Sequence, residues 1–325
     1  RENAMCAPIS SKSCDKYADE AAGRMKKIEF DTFLVGTLMN SDMIKREEAL
    51  WEEVGIEFCE SIRSELNREL GKLIYARIKK EVDEKKPDVT VLLNLEKERV
   101  DLKTSPLFIR GGYKKLVRGI PQTKWEKYDE TVEDIISAPF MIKTRGDSHS
   151  LHASGREDID ARCLDFRPFV LEIGNPIKRR LELNKIVKEI NRSKKVEVST
   201  LDYALKKDVI EVKTMRPDKS YSVIVDFSKP VKGLEKVKKI SGTVRQRTPA
   251  RVSHRRADKV RKRRVLGIEW KKINNKKIEF HIKGEAGLYI KELVTGDDGR
   301  TKPSIAEILK NSAVVVSLDV IKIWI

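Results

Sequence analysis

The sequence predicts a fold that mixes helices and strands, either α/β or α+β, in about two domains. Apolar residues follow helical spacing in some segments and form strand-like runs in others, with no internal repeat. The 325 residues are enough for about two separate cores. No apolar run approaches the roughly 20 residues of a membrane helix, so the sequence excludes a membrane protein. The recurring apolar patterns also exclude a fully disordered chain.

The elements of the first half follow a polar segment at residues 1–25. Gly55 is predicted to divide a helical region in two, and Pro87 is predicted to end it, because proline lacks the N–H group that a helix interior needs. The β-branched and leucine-rich run that ends at Leu95 favours a buried strand. The expected elements are, in order, a strand at 28–36, helices within 43–82, a buried strand at 88–95 and a short strand at 106–109.

The second half is richer in predicted strands. Pro176 lies near the first turn of a predicted helix, a position at which proline is common. Apolar residues at helical spacing, from Leu181 to Ile190, continue that helix. The expected elements are a strand at 169–173, a helix at 177–192, strands near 196–203, 208–213, 221–227 and 277–282, a short helix near 304–310 and a strand at 314–325.

A polar stretch at 124–134 predicts a domain boundary, because few apolar residues there can join a core. The expected domains are a partial N-terminal segment at 1–25, an accessory domain at 26–128 and a second domain at 129–325.

Cysteine usage indicates the cellular compartment. The four cysteines (Cys6, Cys14, Cys59 and Cys163) are few and irregularly spaced. We therefore expect no disulfide scaffold and a reducing, cytoplasmic location.

Charge is concentrated in residues 245–264, called here the basic segment. Ten of its residues are Lys or Arg and one, Asp258, is acidic, so it holds more than half of the formal net charge of +17. Self-repulsion predicts that such a block does not fold on itself. It is predicted to be an arm that contacts nucleic-acid phosphates and orders on binding, whereas a solvated loop or a localisation signal is the alternative. Charge alone does not separate RNA from DNA.

Residues 155–162 place three carboxylates, those of Glu157, Asp158 and Asp160, between Arg156 and Arg162. A carboxylate beside a guanidinium stays ionised, which suits a nucleophile or an electrostatic stabiliser. Clustered acids also bind Mg²⁺, which makes a magnesium-dependent nuclease one alternative. A charged surface turn is the plain structural alternative.

The same octapeptide resembles the G-R-x-D motif of pseudouridine synthases. Two further motifs occur in the family's order: Lys219-Ser-Tyr221 resembles its K-x-Y strand, and the stretch from Gly287 to Ser304 resembles its third motif. In detail the chain is similar to the T-loop tRNA pseudouridine synthases of archaea and eukaryotes (tRNA pseudouridine synthase ten). The resemblance runs from about residue 28 to residue 325, and its other carriers are residues 106–125, 167–173 and 247–257.

This resemblance implies the fold and the activity. It implies an α+β catalytic domain with a mixed, largely antiparallel sheet, preceded by an α/β THUMP-containing RNA-binding domain. The implied enzyme is an isomerase that converts uridine to pseudouridine at position 55, and at position 54, in the T-loop of tRNA. Asp158 would attack the nucleotide at the sugar C1′ or at the uracil ring. Tyr221 would stack on the base and assist proton removal, and Lys291 would hold Asp158 ionised.

The resemblance also implies the residues that bind RNA. Arg156 would contact phosphate or the flipped nucleotide, and Ile290 and Leu318 would line the pocket, although both are equally plausible core residues. Two mobile loops would grip the RNA: a forefinger loop at 143–152 and a thumb loop formed by the basic segment. Their predicted RNA contacts are Arg145, Arg247, Arg251, Arg255 and Arg256.

The isomerisation needs no cofactor, and we expect no metal site. Cys6 and Cys14 lack the paired C-x-x-C spacing of the zinc site that family members carry near the N-terminus. The expected partner is the T-arm of tRNA, with no membrane, no obligate protein partner and a monomeric state. The alternative function is a non-catalytic basic protein that binds or assembles RNA.

Overall fold

A computed structural model describes residues 11–55, 57 and 60–325 of the chain. The α-helices are α1 (Ser11–Met25), α2 (Ser41–Val54), α3 (Ile62–Ile78), α4 (Val132–Thr144), α5 (Leu183–Asn191), α6 (Lys206–Thr214), α7 (Ile290–Thr295) and α8 (Ile305–Leu309). 3₁₀ helices cover Leu234–Ile240 and Ala250–Arg255. The strands of the first half are β1 (Thr32–Leu38), β2 (Glu81–Val82), β3 (Val89–Asn94), β4 (Arg99–Thr104), β5 (Leu107–Lys115) and β6 (Ser148–Ala153). The later strands are β7 (Arg162–Gly174), β8 (Val196–Val198), β9 (Asp202–Ala204), β10 (Asp218–Phe227), β11 (Gly242–Arg247), β12 (Val260–Lys272), β13 (Lys277–Gly284), β14 (Thr301–Lys302) and β15 (Ala313–Trp324).

The chain forms two compact units. The first comprises residues 1–107, 140–149 and 172–182, and the second comprises 108–139, 150–171 and 183–325. Among the described residues, no helix has both the length and the apolar character that crossing a membrane requires. The predicted α+β class is confirmed, because helices and mixed sheets occur in both units.

The first unit is built on a four-stranded sheet in the order β2-β1-β3-β4. Strand β1 runs parallel to β2 and β3, whereas β4 is antiparallel to β3. Helix α3 buries Leu66, Leu70 and Ile74, whose spacing of four residues places them on one helical face. Gly55, with φ of 94°, ends α2 in a conformation that favours glycine, so the predicted break at this residue is confirmed.

The second sheet has eleven strands, and its main path runs β14-β11-β12-β13-β10-β15-β7-β5-β8. Most neighbours are antiparallel, but β15 runs parallel to β7. Strand β10 alternates strictly, with Tyr221, Val223, Val225 and Phe227 buried on one face. This alternation explains why β10 lies at the centre of the main core of the second unit.

Three predicted elements differ from the structure. The helix predicted at 177–192 begins only at Leu183, so Pro176 does not lie in its first turn. Residues 208–213 form helix α6 and not a strand, although valine and isoleucine there favour strands. Val209 and Val212 lie three positions apart, so one helical face can pack both of them in a small cluster with Val170. The predicted forefinger loop is shorter than expected, since residues 143–144 end α4 and residues 148–152 belong to β6.

The basic segment is folded, contrary to the prediction of an arm that orders only on binding. It comprises parts of β11 and β12 joined through the 3₁₀ helix, and the antiparallel register pairs Arg245 with Lys262. Buried Gln246 exchanges hydrogen bonds of 2.8 and 2.9 Å with the backbone of Tyr289. Asp258 lies 2.6 Å from Arg247, which offsets part of the self-repulsion. Backbone pairing and these anchors therefore outweigh the repulsion between like charges.

Candidate active site

Asp158 lies on the loop at 154–161 between β6 and β7, called here the nucleophile loop after the role predicted for Asp158. The backbone turns sharply at the start of this loop, at Gly155, whose φ is 77°. A Cβ atom at this position would lie 3.3 Å from Nη1 of Arg167, so both backbone and space favour glycine. The N–H of Ala161 donates to the carbonyl of Asp158 at 3.0 Å and closes the turn.

Two cations hold the Asp158 carboxylate, one on each oxygen. Nζ of Lys291 lies 3.3 Å from Oδ2, and Nη1 of Arg251 donates to Oδ1 at 3.2 Å. The Asp158 side chain keeps 34% of its surface exposed, so a substrate can reach it between these partners. The predicted neighbour Lys291 is therefore beside Asp158, and Arg251 joins it there.

Lys291 also binds a second acid of the same loop. Its Nζ lies 2.8 Å from both carboxylate oxygens of Asp160. Burial favours the neutral acid, but the hydrogen bonds and charge of Lys291 outweigh it, and the pKa of Asp160 is lowered. Lys291 is thereby fixed at the first turn of α7, between two carboxylates.

Tyr221, Ile290 and Leu318 are all members of the main core cluster of the second unit. Tyr221 is 9% exposed and lies opposite Val320 of β15. Burial raises the pKa of Tyr221 to about 12; Cys163 and Asp158 add to this effect, while Arg167 opposes it. The phenol is therefore neutral at physiological pH, which suits stacking on a base better than accepting a proton.

A buried ion pair lies behind the nucleophile loop. Oε2 of Glu157 is 3.0 Å from Nε of Arg167, and both side chains are almost fully buried. The hydroxyl of Tyr113 lies 3.1 and 3.2 Å from the Glu157 carboxylate, and Arg167 donates to the carbonyl of Ser154 at 2.8 Å. Burial disfavours the charged guanidinium, but the attraction of Glu157 prevails, and the pKa of Arg167 is raised.

Lys115 supports the same loop from β5. Its fully buried Nζ donates to the carbonyls of Ile120 and Asp158 at 3.0 Å and of Ile159 at 3.2 Å. Desolvation lowers the pKa of Lys115, and Glu157 is the strongest influence in the other direction. Neither Lys115 nor Arg167 was expected in the site, because lysine and arginine are rarely fully buried.

The other predicted RNA contacts lie in different surroundings. Arg247 pairs with Asp258, and Nη1 of Arg256 donates to the hydroxyl of Tyr289 at 2.8 Å. The Arg255 side chain lies outside the described residues. Arg156 is exposed beside Asp158 in sequence, and Arg145 belongs to the first unit, where its φ is 53°.

The acids of residues 155–162 do not form a free carboxylate cluster. Glu157 pairs with Arg167, while Asp158 and Asp160 share Lys291, so each carboxylate already faces a cation. This arrangement opposes the magnesium alternative, since a dication would have to compete with these cations. Over residues 11–55, 57 and 60–325, no three metal-binding side chains come together. Cys6, one of the cysteines considered for zinc, lies outside these residues.

Two family models match separate parts of the chain. A family model described as "Pus10, C-terminal" matches residues 108–324, and one described as "Pus10 THUMP domain, archaeal" matches residues 17–94. The chain belongs to the Pus10 family. The predicted family and the predicted THUMP domain are therefore confirmed, and so is the predicted enzyme class, a pseudouridine synthase and hence an isomerase.

Several curated relatives carry the name tRNA pseudouridine synthase Pus10. The protein of Methanothrix thermoacetophila is 42% identical over 95% of this chain and 74% of its own length. Those of Methanocaldococcus jannaschii and Thermoplasma acidophilum are 41% and 40% identical over 98% of this chain, and over 74% and 84% of their own lengths. Among solved structures, a Cbf5-Nop10-Gar1 complex matches 65% of this chain and 48% of its own at 18% identity, with a TM-score of 0.39.

Proposed function

We propose that this Pus10-family protein converts uridine to pseudouridine in the T-arm of tRNA, at position 55 and also at position 54. Asp158 is the nucleophile in this proposal. The observation that carries it is the Asp158 carboxylate itself, one-third exposed on a sharp loop and held by Lys291 and Arg251. The names of the curated relatives support tRNA as the substrate.

The reaction moves one bond and needs no external oxidant or reductant. The C1′–N1 bond of uridine breaks, the uracil turns, and a C1′–C5 bond forms. The proton on C5 then leaves to solvent and N1 takes up one proton from solvent, so the product is an isomer of the substrate. The carboxylate of Asp158 assists by forming a temporary bond to C1′ or to the uracil ring, and this bond breaks again before the product leaves, which regenerates the carboxylate. A nucleophile fixed by two cations and a supported backbone needs little reorganisation before it reacts.

The substrate base must leave its stack to reach Asp158, which costs a few kcal/mol. Phosphate contacts can offset that cost, and the basic segment supplies many exposed cations near the site. Arg145, Arg156, Arg247, Arg255 and Arg256 are the proposed RNA contacts. Tyr221 stacks on the extruded base, while Ile290 and Leu318 form the apolar floor behind it.

The proposal also covers the domain organisation, the oligomeric state and the location of the protein. We propose an accessory domain at 26–128, whose THUMP part binds RNA, and a catalytic domain at 129–325. A monomer that acts in the cytoplasm without an obligate protein partner stays a prediction.

The test uses an unmodified tRNA transcript labelled with tritium at C5 of uridine. Pseudouridine formation releases this tritium into water, and chemical mapping then locates the product. We expect release from positions 54 and 55, and a loss of at least about a thousandfold in Asp158→Asn, the scale seen when a catalytic nucleophile is removed. Asp226→Asn is the matched control, because Asp226 is half-exposed and pairs only loosely with Lys277 at 3.6 Å. Full activity in Asp158→Asn would refute the assignment.

A further inference from the structure

Arg251 differs from the other described arginines of the basic segment in where its donors point. Its Nε donates to Oε1 of Glu292 at 2.7 Å, and its Nη1 donates to Oδ1 of Asp158 at 3.2 Å. Arg247, by contrast, pairs with Asp258 inside the segment. Two edges of the Arg251 guanidinium are thus taken by protein carboxylates, which leaves little of it for a phosphate.

Glu292 makes this arrangement rigid. Its side chain is 5% exposed, and its Oε2 is buried without a hydrogen-bond partner among the described residues. A buried carboxylate is costly unless it is paired, so Glu292 holds Arg251 firmly. Burial alone would lower the pKa of Arg251. The hydrogen bond and the negative charge of Glu292 outweigh this effect, so the pKa of Arg251 is raised.

Helix α7 therefore reaches both oxygens of the nucleophile. Lys291 contacts Oδ2 directly, and the adjacent Glu292 reaches Oδ1 through Arg251. One cation on a carboxylate leaves it free to rotate about the Cβ–Cγ bond. Cations on both oxygens fix the plane of the group, and so fix which lone pair faces the substrate.

We propose that Arg251 is a positioning residue: held by Glu292, it sets the orientation of the Asp158 carboxylate, and it is not mainly a phosphate contact. The inference rests on the proposed role of Asp158 as nucleophile. It predicts that Arg251 acts on the chemical step and that Arg251 and Glu292 act as one unit. A phosphate contact would act on RNA binding, and Glu292 would then be independent of it.

The experiment measures kcat and KM by tritium release from tRNA for Arg251→Gln, Glu292→Ala and the double variant. We expect kcat to fall about a hundredfold in Arg251→Gln, the loss that a small misplacement of a catalytic group causes, with KM nearly unchanged. Arg251→Lys should recover only part of kcat, because one ammonium cannot bridge two carboxylates as the guanidinium fork does. The double variant should lose no more than Arg251→Gln alone, since both changes break the same connection.

Arg245→Gln is the matched control, since Arg245 is an exposed arginine of the same segment. It should raise KM and lower the salt slope of binding by about one, with kcat preserved. Thermal melting identifies any variant that fails to fold, and Glu292→Gln replaces Glu292→Ala if the latter does.

Two results would overturn the inference: a rise in KM without a fall in kcat for Arg251→Gln, or additive losses in the double variant. The Asp158→Asn variant distinguishes failure of the positioning role of Arg251 from failure of the proposed function. If it is inactive while Arg251→Gln changes only KM, the positioning role fails and the proposed function stands. If Asp158→Asn is fully active, the proposed function itself fails.

Discussion

The buried pair of Glu157 and Arg167 allows one prediction to be worked from the structure. In Glu157→Gln the shape is kept, but the Arg167 guanidinium loses the carboxylate that lies 3.0 Å away. The carbonyl of Ser154, at 2.8 Å, and the thiol of Cys163 remain as its partners. Breaking a buried ion pair on one side costs about 3–5 kcal/mol.

This loss is large compared with the roughly 5–15 kcal/mol that stabilises a typical domain. At ~2–4 °C per kcal/mol for a unit of this size, the thermal midpoint should fall by about 6–20 °C. Chemical denaturation gives the free energy of unfolding, and calorimetry gives the midpoint. Because Gln lacks the charge that holds Arg167, kcat should also fall as the nucleophile loop loosens.

Glu197→Gln is the matched control for this change. Glu197 pairs with Lys114 at 3.1 Å, but both side chains are partly exposed, so the loss should be at most about 1 kcal/mol. The double variant Glu157→Gln, Arg167→Met should regain stability, because no unpaired charge stays buried. A loss below about 1 kcal/mol in Glu157→Gln would refute the reasoning that this pair is buried and coupled.

Three further changes test other parts of the site. Lys115→Met removes the ammonium donor that the carbonyls of Asp158 and Ile159 share, although each keeps one backbone N–H donor, so kcat should fall about tenfold or more at unchanged KM, as measured by tritium release. Burial opposes ionisation of Asp319, but Arg162 outweighs this effect and lowers the pKa of the carboxyl. On acidification the Asp319 carboxylate is therefore protonated more readily in the unfolded chain than in the folded protein. The free energy of unfolding should consequently fall below about pH 4. Acid titration of Asp319→Asn should show a smaller drop, and an equal drop would contradict that link. With a pKa of about 12, Tyr221 stays protonated between pH 6 and 10, so Tyr221→Phe should leave the shape of the pH–rate profile unchanged. A fall in rate at alkaline pH that is present in the unmutated enzyme and absent in Tyr221→Phe would contradict this.

Local pattern was enough to predict several elements. The apolar stripe of α3 and the glycine break at Gly55 follow from spacing and backbone freedom, which depend on neighbours in sequence. Helix α6 was predicted wrongly, because its β-branched residues favour a strand, whereas packing against Val170 selects the helix. The basic segment was predicted as an unfolded arm from its charge, but β11 and β12 pair within the segment, and Gln246 anchors it to Tyr289, 43 positions away.

The prediction of the site residues was limited in the same way, because local motifs do not reveal contacts between residues far apart in sequence. The motifs indicated Asp158, Tyr221 and Lys291, and the structure places Lys291 within ion-pair distance of Asp158. Arg251 was expected to contact RNA, since no local signal connects it with a carboxylate 93 positions away. Lys115 lies in a stretch that carries the family resemblance, but nothing in the sequence marked it as a site residue, because a lysine among lysines is normally solvated.

The nucleophile loop is held by residues that are far apart in the chain. Lys115 lies 43 positions before Asp158, Arg251 lies 93 positions after it, and Lys291 is 131 positions from Asp160. Contacts of such separation form late in folding, because long loops must close first. During refolding from denaturant, catalytic activity should therefore return only with the slowest native phase, after most helical circular dichroism has recovered.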